Sequence, residues 1–291
     1  MSPVSASLPV KPRQKAAPQW PELRPAIDLE PSPYFRWKGL LDRTAAALLL
    51  VPAAPLIGLL VLLVKLTSRG PGIYSQVRVG LRGRLFTMHK IRTMRADAEA
   101  TVGPVWTQAG DPRITLVGRF LRKLHLDELP QLFNVVKGEM AIIGPRPERP
   151  EFVEVLRDAL PGYMNRLAVR PGVTGLSQLN LPPDTDLDSV HRKLILDCQY
   201  IERAGLWLDF RLFLATCGRM FKVPCIRLLG IHRDAALPPA PIAGPSLPHA
   251  PHDLLPAGGT GPHVSPRTIS RQRPSRNNGK ANGKAKHHRP R

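Results

Sequence analysis

The amino-acid sequence predicts an α+β protein that is mostly helical, with a re-entrant membrane helix and a small cytosolic α/β domain containing a β-hairpin and interfacial amphipathic helices. Three observations lead to this prediction. An uncharged apolar segment runs from Thr44 to Val64 and carries prolines at its centre. Residues 73–91 alternate between apolar and polar side chains around a glycine-containing turn, as a hairpin does. Beyond residue 115, apolar residues recur mainly at helical spacing.

Net charge and composition narrow the class of partner. The chain has 291 residues and a formal net charge of +20, which implies a polyanion: nucleic acid, anionic lipid or a phosphorylated substrate. Aromatic residues make up only 5% of the chain, so platforms on which bases could stack are scarce. Cys198, Cys217 and Cys225 show neither metal-ligand spacing nor a disulfide framework. A cytosol-facing domain with reduced thiols fits this cysteine usage best.

Composition also divides the chain into parts. Residues 1–33 are rich in proline, alanine, serine and lysine, and are predicted to be a disordered N-terminal arm. Residues 34–66 hold the predicted membrane-inserted helix, and residues 67–225 form the predicted cytosolic domain. Residues 235–291 are predicted to be a disordered, basic, proline-rich tail, and we expect anionic membrane lipid to attract it.

The apolar segment is long enough to cross a bilayer as a helix, but two features favour a re-entrant path. Pro52 and Pro55 lie near its centre, where each removes a backbone donor and bends or breaks a helix. Basic residues flank both ends, and positive flanks prefer the cytoplasmic side of a membrane. A helix that enters, turns at the prolines and leaves on the same side satisfies both flanks. A kinked single span and a buried core helix are the alternatives.

A β-hairpin is predicted directly after this segment. Its strands run from Ile73 to Val79 and from Leu85 to Ile91, with a turn that begins and ends in glycine between them. The hairpin delivers Lys90 and Arg92 at the end of the second strand. Basic side chains in such a place can hold phosphates. A solvated basic edge is the alternative.

Two neighbouring carboxylates, Asp127 and Glu128, stand just before Pro130, a residue suited to the first turn of a helix. Adjacent helical residues do not share a face, so these two carboxylates need not do the same job. One can point at a reacting centre while the other binds a cation or positions its neighbour. The alternative is an acidic helix start that complements the helix dipole.

Arginines recur at turns rich in glycine and proline. Arg113 belongs to an Asp-Pro-Arg turn, Arg146 to a Gly-Pro-Arg-Pro turn, and Arg170 to an Arg-Pro-Gly run that contains Gly172. Polar loops of fixed geometry are where binding and catalytic residues concentrate. These loops are therefore candidates for a phosphate-binding pocket.

The last predicted helix, from Leu206 to Phe221, is apolar except for a narrow polar stripe at Asp209, Arg211 and Arg219. This pattern suggests an interfacial helix lying along a membrane. A core helix of the soluble domain is equally compatible with the pattern.

The order of these blocks resembles one family, over about residues 36 to 221. The blocks are GPGIYSQVRVGLRGRLFTMHKIRTMRADAE, DPRITLVGRFLRKLHLDELPQLFNVVKGEMAIIGPRP and RPGVTGLSQ. They are similar to those of the bacterial sugar transferases, the monotopic polyprenyl-phosphate phosphoglycosyl transferases that initiate exopolysaccharide and surface glycoconjugate synthesis. The resemblance implies transfer of a sugar phosphate from a UDP-sugar to undecaprenyl phosphate, with release of UMP. It places the protein at the bacterial inner membrane, with its catalytic domain facing the cytoplasm.

The resemblance also implies roles for particular residues. Asp127 would be the nucleophile that forms a covalent phosphosugar intermediate, and Glu128 would support it and the magnesium site, with Glu99 as a further metal ligand. Pro55 would mark the break in the membrane helix. The nucleotide and phosphate pocket would be shaped by residues at the matching motif positions: Lys90, Arg92, Arg113, Arg146, Arg170 and Gly172.

The expected partners are therefore a UDP-sugar, undecaprenyl phosphate and anionic membrane lipid, with Mg²⁺ as the cofactor. No nucleic acid is expected, and a homodimer is compatible with the sequence. Two positions depart from the common family pattern: Ala54 stands where a serine often precedes the breaking proline, and Gly39 follows Lys38 where an arginine is common. The alternative function is a membrane-anchored basic binding or scaffold protein of polysaccharide assembly that lacks catalysis.

Overall fold

The computed structural model describes residues 29–98, 110–184 and 186–220, together with Val223 and Ile231. These residues all belong to one unit of the chain. The predictions made for Glu99, Cys225, the basic tail and nearly all of the N-terminal arm fall outside the described residues.

The first element is a single long helix, α1, over Phe35–Thr67. It confirms the predicted helix, but Pro52 and Pro55 both lie inside it and do not divide it into two helices. Each proline removes one backbone donor, while the neighbouring turns keep their own hydrogen bonds. The structure therefore shows one helix rather than two at Pro55, and a bend of the helix there stays a prediction. Within the described ranges, α1 is the one helix long and apolar enough to cross a membrane.

Both ends of α1 contact the same folded unit. Near its start, Ala46 is completely buried in a cluster with Met88 and Val135. Near its end, Leu60 and Val64 pack in a second cluster that contains Ile91 and Leu121. Met88 and Ile91 belong to one strand, so the two contact points on α1 meet neighbouring parts of the domain.

The predicted hairpin is confirmed at its predicted bounds. Strand β1 spans Ile73–Val79 and strand β2 spans Leu85–Ile91, and they pair antiparallel with Ile73 opposite Ile91. Arg82 in the turn adopts φ 53, a left-handed conformation that is uncommon outside glycine.

The central helical region is divided rather than continuous. Helix α2 covers Leu116–Lys123 and begins at Thr115, whose hydroxyl accepts a hydrogen bond from the Gly118 amide at 2.9 Å. A 3₁₀ turn follows at Leu126–Glu128, and helix α3 covers Gln131–Lys137. Glycine at position 118 is required because a Cβ there would lie 2.7 Å from the Thr93 carbonyl carbon.

Helix α3 buries Val135 in the cluster with Ala46, but two of its other apolar residues face outward. Phe133 and Val136 are exposed, whereas Gln131 and Asn134 are buried. The Asn134 side chain links the hairpin to this helix, because its Nδ2 donates to the Thr87 carbonyl at 2.7 Å and its Oδ1 accepts from the His89 amide at 3.2 Å.

A second, two-stranded sheet joins distant parts of the chain. Strand β3, Ala141–Ile143, pairs in parallel with strand β4, Gly172–Thr174. A side chain at position 172 would place its Cβ 2.7 Å from the Gly144 Cα, so only glycine permits this close approach. Helix α4, Pro150–Ala159, lies between the two strands in sequence, and helix α5, Leu176–Asn180, follows β4.

The domain ends in two longer helices, α6 over Leu187–Arg203 and α7 over Leu206–Met220. On α7, Asp209 and Leu212 are buried against the domain, while large apolar residues face outward. The exposed apolar residues of this helix are Leu206, Trp207, Phe210 and Leu214. A core helix would bury such residues, so the exposed face argues against that alternative, and its contact with a membrane stays a prediction.

Candidate active site

Asp127 and Glu128 lie on the 3₁₀ turn between α2 and α3. His125 precedes them with φ 56 and ψ 20, and this left-handed residue redirects the chain after α2. The turn leaves Asp127 only 8% exposed. The two carboxylates therefore occupy a bend between helices rather than the first turn of a helix, and Pro130 precedes α3 instead of opening it.

Glu128 is firmly ion-paired. Its Oε1 accepts a hydrogen bond from the Lys90 Nζ at 2.6 Å and lies 3.6 Å from the Arg146 Nη1. Burial disfavours ionisation of Glu128, but the positive charges of Lys90 and Arg146 outweigh this effect and lower its pKa to about 2. Glu128 is consequently a permanent anion that fixes Lys90 and Arg146 at the site.

Asp127 has the opposite electrostatics. Burial raises its pKa, and the nearby cations Lys90 and Arg122 offset this only in part. Among the described residues, no side chain donates a hydrogen bond to its carboxylate. A buried carboxylate that lacks such donors is poorly stabilised as an anion, and it is free to form a new bond.

The structure adds Arg122 to the predicted residues. It stands at the end of α2, and its Nε donates to the Thr93 hydroxyl at 2.8 Å. Its positive charge acts on Asp127. The sequence shows Arg119, Arg122 and Lys123 as a basic run, but spacing alone does not tell which one turns inward. Arg119 and Lys123 are exposed.

Arg146 reaches the site from the turn after β3. Its side chain is 41% exposed, and its Nη1 also donates to the Gln178 Oε1 at 3.2 Å. Arg146 thus borders both Glu128 and a pocket whose lining includes Tyr163, Asp184 and Lys193.

Two of the predicted arginines have other partners. The Nη2 of Arg92 donates to the carbonyl and hydroxyl oxygens of Ser68, at 2.9 and 2.6 Å, directly after α1. Arg113 forms a bidentate pair with Asp111, at 2.9 and 2.6 Å, inside its own turn. Its Nη1 donates to the Ala98 carbonyl at 3.3 Å, so Arg113 joins the two chain ends that flank residues 99–109.

Arg170 and Gly172 are also placed by the fold. The Arg170 Nε donates to the Gly138 carbonyl at 2.9 Å, after α3. A Cβ at position 39 would lie 2.8 Å from its Nη1, so glycine at that position leaves room for Arg170 beside the start of α1. Gly172 serves the close approach of β4 to Gly144. The structure thus brings Lys90 and Arg146 to the carboxylates, and it places Arg92 and Arg170 at opposite ends of α1.

The carboxylates of this site determine whether it could hold Mg²⁺. Within the described ranges, no group of three histidine, cysteine, aspartate or glutamate side chains surrounds a common point. Magnesium commonly takes one or two protein carboxylates and completes its shell with water and substrate phosphates. Asp127 and Glu128 fit this mode of binding, in which the ion arrives with a diphosphate. Among the described residues, no side chain donates a hydrogen bond to the Asp127 carboxylate.

Comparisons with known proteins found one family and several relatives. The model of the family described as "Bacterial sugar transferase" matches residues 34–223. The chain is 39% identical over 200 residues to the undecaprenyl-phosphate glucose phosphotransferase of Komagataeibacter xylinus, covering 66% of this chain and 38% of that protein. It is 40% identical over 203 residues to the UDP-glucose:undecaprenyl-phosphate glucose-1-phosphate transferase of Caulobacter vibrioides, covering 68% of this chain and 72% of that protein.

A third relative extends the range of sugars named. The chain is 41% identical over 189 residues to the UDP-N-acetylgalactosamine-undecaprenyl-phosphate N-acetylgalactosaminephosphotransferase of Aeromonas hydrophila, covering 65% of this chain and 44% of that protein. The chain therefore spans less than half the length of two of these three relatives.

Proposed function

The chain belongs to the bacterial sugar transferase family, and from this premise we propose that it transfers a sugar 1-phosphate from a UDP-sugar to undecaprenyl phosphate and releases UMP. This step would initiate the synthesis of an exopolysaccharide or surface glycoconjugate. The observation that carries the proposal is the environment of Asp127. Its carboxylate lies among Lys90, Arg122 and Arg146, and no described side chain donates a hydrogen bond to it. The names of the relatives support the substrate class.

In the first step, a carboxylate oxygen of Asp127 attacks the phosphorus that carries the sugar. The bond from that phosphorus to the bridging oxygen breaks, UMP leaves with the bond's electrons, and an aspartyl-phosphosugar remains. In the second step, a phosphate oxygen of undecaprenyl phosphate attacks the same phosphorus, and the bond to Asp127 breaks. Splitting a difficult transfer through a carboxylate nucleophile in this way gives two easier displacements.

The charges around Asp127 suit this chemistry. Phosphoryl transfer depends mainly on positioning and on neutralising charge at the transferred group and leaving group. Lys90, Arg122 and Arg146 offer three cations next to the nucleophile. Glu128 anchors two of them. Magnesium held by Asp127 and Glu128 would neutralise further charge on the diphosphate.

The contacts of α1 favour a helix that enters and leaves one face of the membrane over a helix that spans it. We place this face on the cytoplasmic side of the inner membrane, and the bend at Pro52 and Pro55 that such a path requires stays a prediction. Between the contact points Ala46 and Leu60 lie 13 residues, 47–59, of which Ala53 and Ile57 are themselves buried. At about 1.5 Å per residue they extend roughly 20 Å, less than the roughly 30 Å of a bilayer core. One domain on one side of a membrane could not contact both points of a helix that spans it. The exposed apolar face of α7 would lie at the same surface and meet anionic lipid.

This topology has its own test. A single cysteine placed near residue 20, in a variant whose native cysteines are replaced, should be labelled in intact cells only after permeabilisation of the inner membrane. Labelling by an impermeant reagent from the periplasm would show that α1 spans the membrane. Arg92 and Arg170, which contact the two ends of the helix, would then belong to opposite faces.

The reaction is tested by incubating the purified membrane fraction with undecaprenyl phosphate and a panel of UDP-sugars, and by measuring UMP. We expect UMP only with magnesium, and none in Asp127→Asn. A matched control is Asp188→Asn, which makes the same chemical change on the exposed first turn of α6 and should retain activity. Full UMP release by Asp127→Asn would remove the proposed nucleophile.

A further inference from the structure

The loop that carries Arg146 is bound along its whole backbone. Its four successive carbonyl groups each accept a hydrogen bond from elsewhere in the fold, the last two from neighbouring residues of β1. The pairs are Pro145 with the Gly172 amide at 2.8 Å, Arg146 with the Arg166 Nη2 at 2.9 Å, Pro147 with the Arg78 Nη1 at 3.1 Å, and Glu148 with the Val79 amide at 2.9 Å. Prolines on both sides of Arg146 restrict the backbone further.

Arg166 is the most connected of these donors. It is only 7% exposed, and its guanidinium binds the Tyr163 hydroxyl at 2.8 Å and the Asp197 Oδ2 at 2.8 Å, in addition to the Arg146 carbonyl. Asp197 is 2% exposed, and its other oxygen accepts from the Ser177 hydroxyl at 2.6 Å. These groups take no part in the proposed chemistry.

The connections close into a ring around Arg146. Ser177 and Gln178 are neighbours on α5, and the Gln178 Oε1 accepts from the Arg146 Nη1 at 3.2 Å. The ring therefore leads from the Arg146 carbonyl through Arg166, Asp197, Ser177 and Gln178 back to the Arg146 guanidinium. It holds the residue at its backbone and at the tip of its side chain.

We propose that Arg166 and Asp197 are positioning residues of the transfer reaction, which act by aiming the Arg146 guanidinium at the diphosphate. The inference rests on the proposed function. A buried ion pair is weak evidence for a stabilising role, because the cost of desolvation offsets most of the attraction. A guanidinium, in contrast, offers several donors in a rigid planar fork and can fix three acceptors at once.

Precision at this point matters for the rate. Arg146 lies 3.6 Å from Glu128 and contributes one of the cations beside Asp127. A displacement of about 1 Å in a group that stabilises a transition state can lower the rate by about 100-fold. Lysine at position 166 keeps the charge but offers no planar fork, so it cannot hold the carbonyl of Arg146 and the carboxylate of Asp197 in the same geometry.

The test is a double-mutant cycle between Arg166→Lys and Arg146→Ala, with UMP release from the UDP-sugar as the readout. All variants are measured in detergent at a temperature at which each is folded. Alone, Arg166→Lys should lower kcat about 10- to 100-fold. In the Arg146→Ala background it should lower kcat less than about 2-fold, because its target is gone. Effects of equal size in both backgrounds would overturn the inference.

Arg157→Lys is the matched control. It makes the same substitution at an arginine on α4 that pairs with Asp158, and it should retain full activity. If Arg166→Lys does not fold, Ser177→Ala opens the ring at another point and is measured in the same cycle, with equal effects in both backgrounds again contradicting the proposal. A wild-type protein that releases no UMP from any UDP-sugar would refute the proposed function itself, whereas additive effects in an active enzyme refute only the positioning role.

Discussion

Two clusters in this protein contain the same charged groups, two carboxylates and a lysine, and they differ in how those groups are bound. We call the first the anchor cluster; it joins the start of α1 to α6 and α7 and consists of Tyr34, Lys38, Asp42, Tyr200 and Asp209. We call the second the site cluster; it consists of Lys90, Arg122, Asp127, Glu128 and Arg146.

In the anchor cluster, both carboxylates accept a hydrogen bond from the lysine, although the buried Asp42 Oδ2 has no hydrogen bond of its own among the described residues. Lys38 is paired with both Asp42 and Asp209. Asp209 also accepts from the Tyr34 hydroxyl at 3.1 Å and from the Tyr200 hydroxyl at 2.7 Å. A network of this kind fixes the packing of the elements it joins, and any loss of a partner leaves a buried charge.

In the site cluster, donors and acceptors are unequally shared. Glu128 binds Lys90 at 2.6 Å, whereas Asp127 receives no hydrogen bond from any described side chain. The guanidinium groups of Arg122 and Arg146 add two positive charges, so the cluster contains three cations and two carboxylates. The difference teaches that a lysine beside two carboxylates does not by itself distinguish a structural cluster from a reactive one. What separates them is an unpaired nucleophile together with excess charge of the sign opposite to the substrate.

The largest expected contrast is between Asp127→Asn and Asp209→Asn. Asp127→Asn should lower turnover by about 10³-fold or more and abolish the covalent adduct. It should leave thermal stability equal or higher, because it removes a buried charge that lacks side-chain donors. Asp209→Asn should retain the adduct and lower the free energy of unfolding by about 3 kcal/mol. Mass spectrometry for the adduct and thermal unfolding in detergent measure the two effects; loss of stability in Asp127→Asn would break the comparison.

The next contrast is between the two lysines. Lys90→Met should lower turnover by about 100-fold, because one cation at the reacting phosphate is lost. Its fold should persist, since Glu128 keeps Arg146 as a partner. Lys38→Met should instead leave Asp42 and Asp209 buried together without a cation, and the midpoint of thermal unfolding should fall well below that of Lys90→Met. Equal midpoints in the two variants would contradict this ordering.

The pH dependence of turnover tests the electrostatics of the site cluster. Burial raises the pKa of Asp127, so the acid limb of the pH–rate profile should lie above the ordinary range of an aspartate. Lys90 opposes this shift, and the limb should therefore move to still higher pH in Lys90→Met. Profiles of UMP release for the wild type and the variant give the measurement. An acid limb that stays in place after the loss of Lys90 would show that another group controls it.

The stability of the folded protein at low pH should depend on Glu128, whose pKa shift is opposite in direction to that of Asp127. The pKa of Glu128 is lowered to about 2 in the folded protein, so its ion pair contributes stability that is complete above its unfolded pKa and is lost as the pH falls toward about 2. In Glu128→Gln this contribution is missing, and the difference in free energy of unfolding from the wild type should shrink as the pH falls below about 4. Unfolding midpoints measured across this range check the sign.

The smallest expected effect is that of Tyr200→Phe. The tyrosine hydroxyl binds Asp209 at 2.7 Å and lies 3.2 Å from the Ile143 carbonyl. Its loss should lower the free energy of unfolding by about 1 to 2 kcal/mol and leave turnover unchanged while the protein is folded. A loss of turnover larger than about 3-fold would mean that the anchor cluster communicates with the reaction.

Much of the candidate site could be predicted from the sequence. Asp127 and Glu128, together with Lys90 and Arg146, are found at one site as expected. Arg122 was not singled out, since three basic residues share its run and only the end of α2 shows which one turns inward. The helix interruption at Pro55 was expected from the missing backbone donor, but the surrounding turns keep α1 continuous.

The sequence by itself determined the hairpin, the long apolar helix and the neighbouring carboxylates, because strand alternation, apolar run length and turn residues act over a few positions. Only the tertiary structure decided which cations form ion pairs with Glu128 and which bind other groups. Lys90 and Arg146 meet it from distant parts of the chain, whereas Arg92 is held by Ser68 and Arg113 by Asp111. The physical reason is that a side chain's partner depends on which elements pack against it, and that is settled by burial across the whole domain rather than by local pattern.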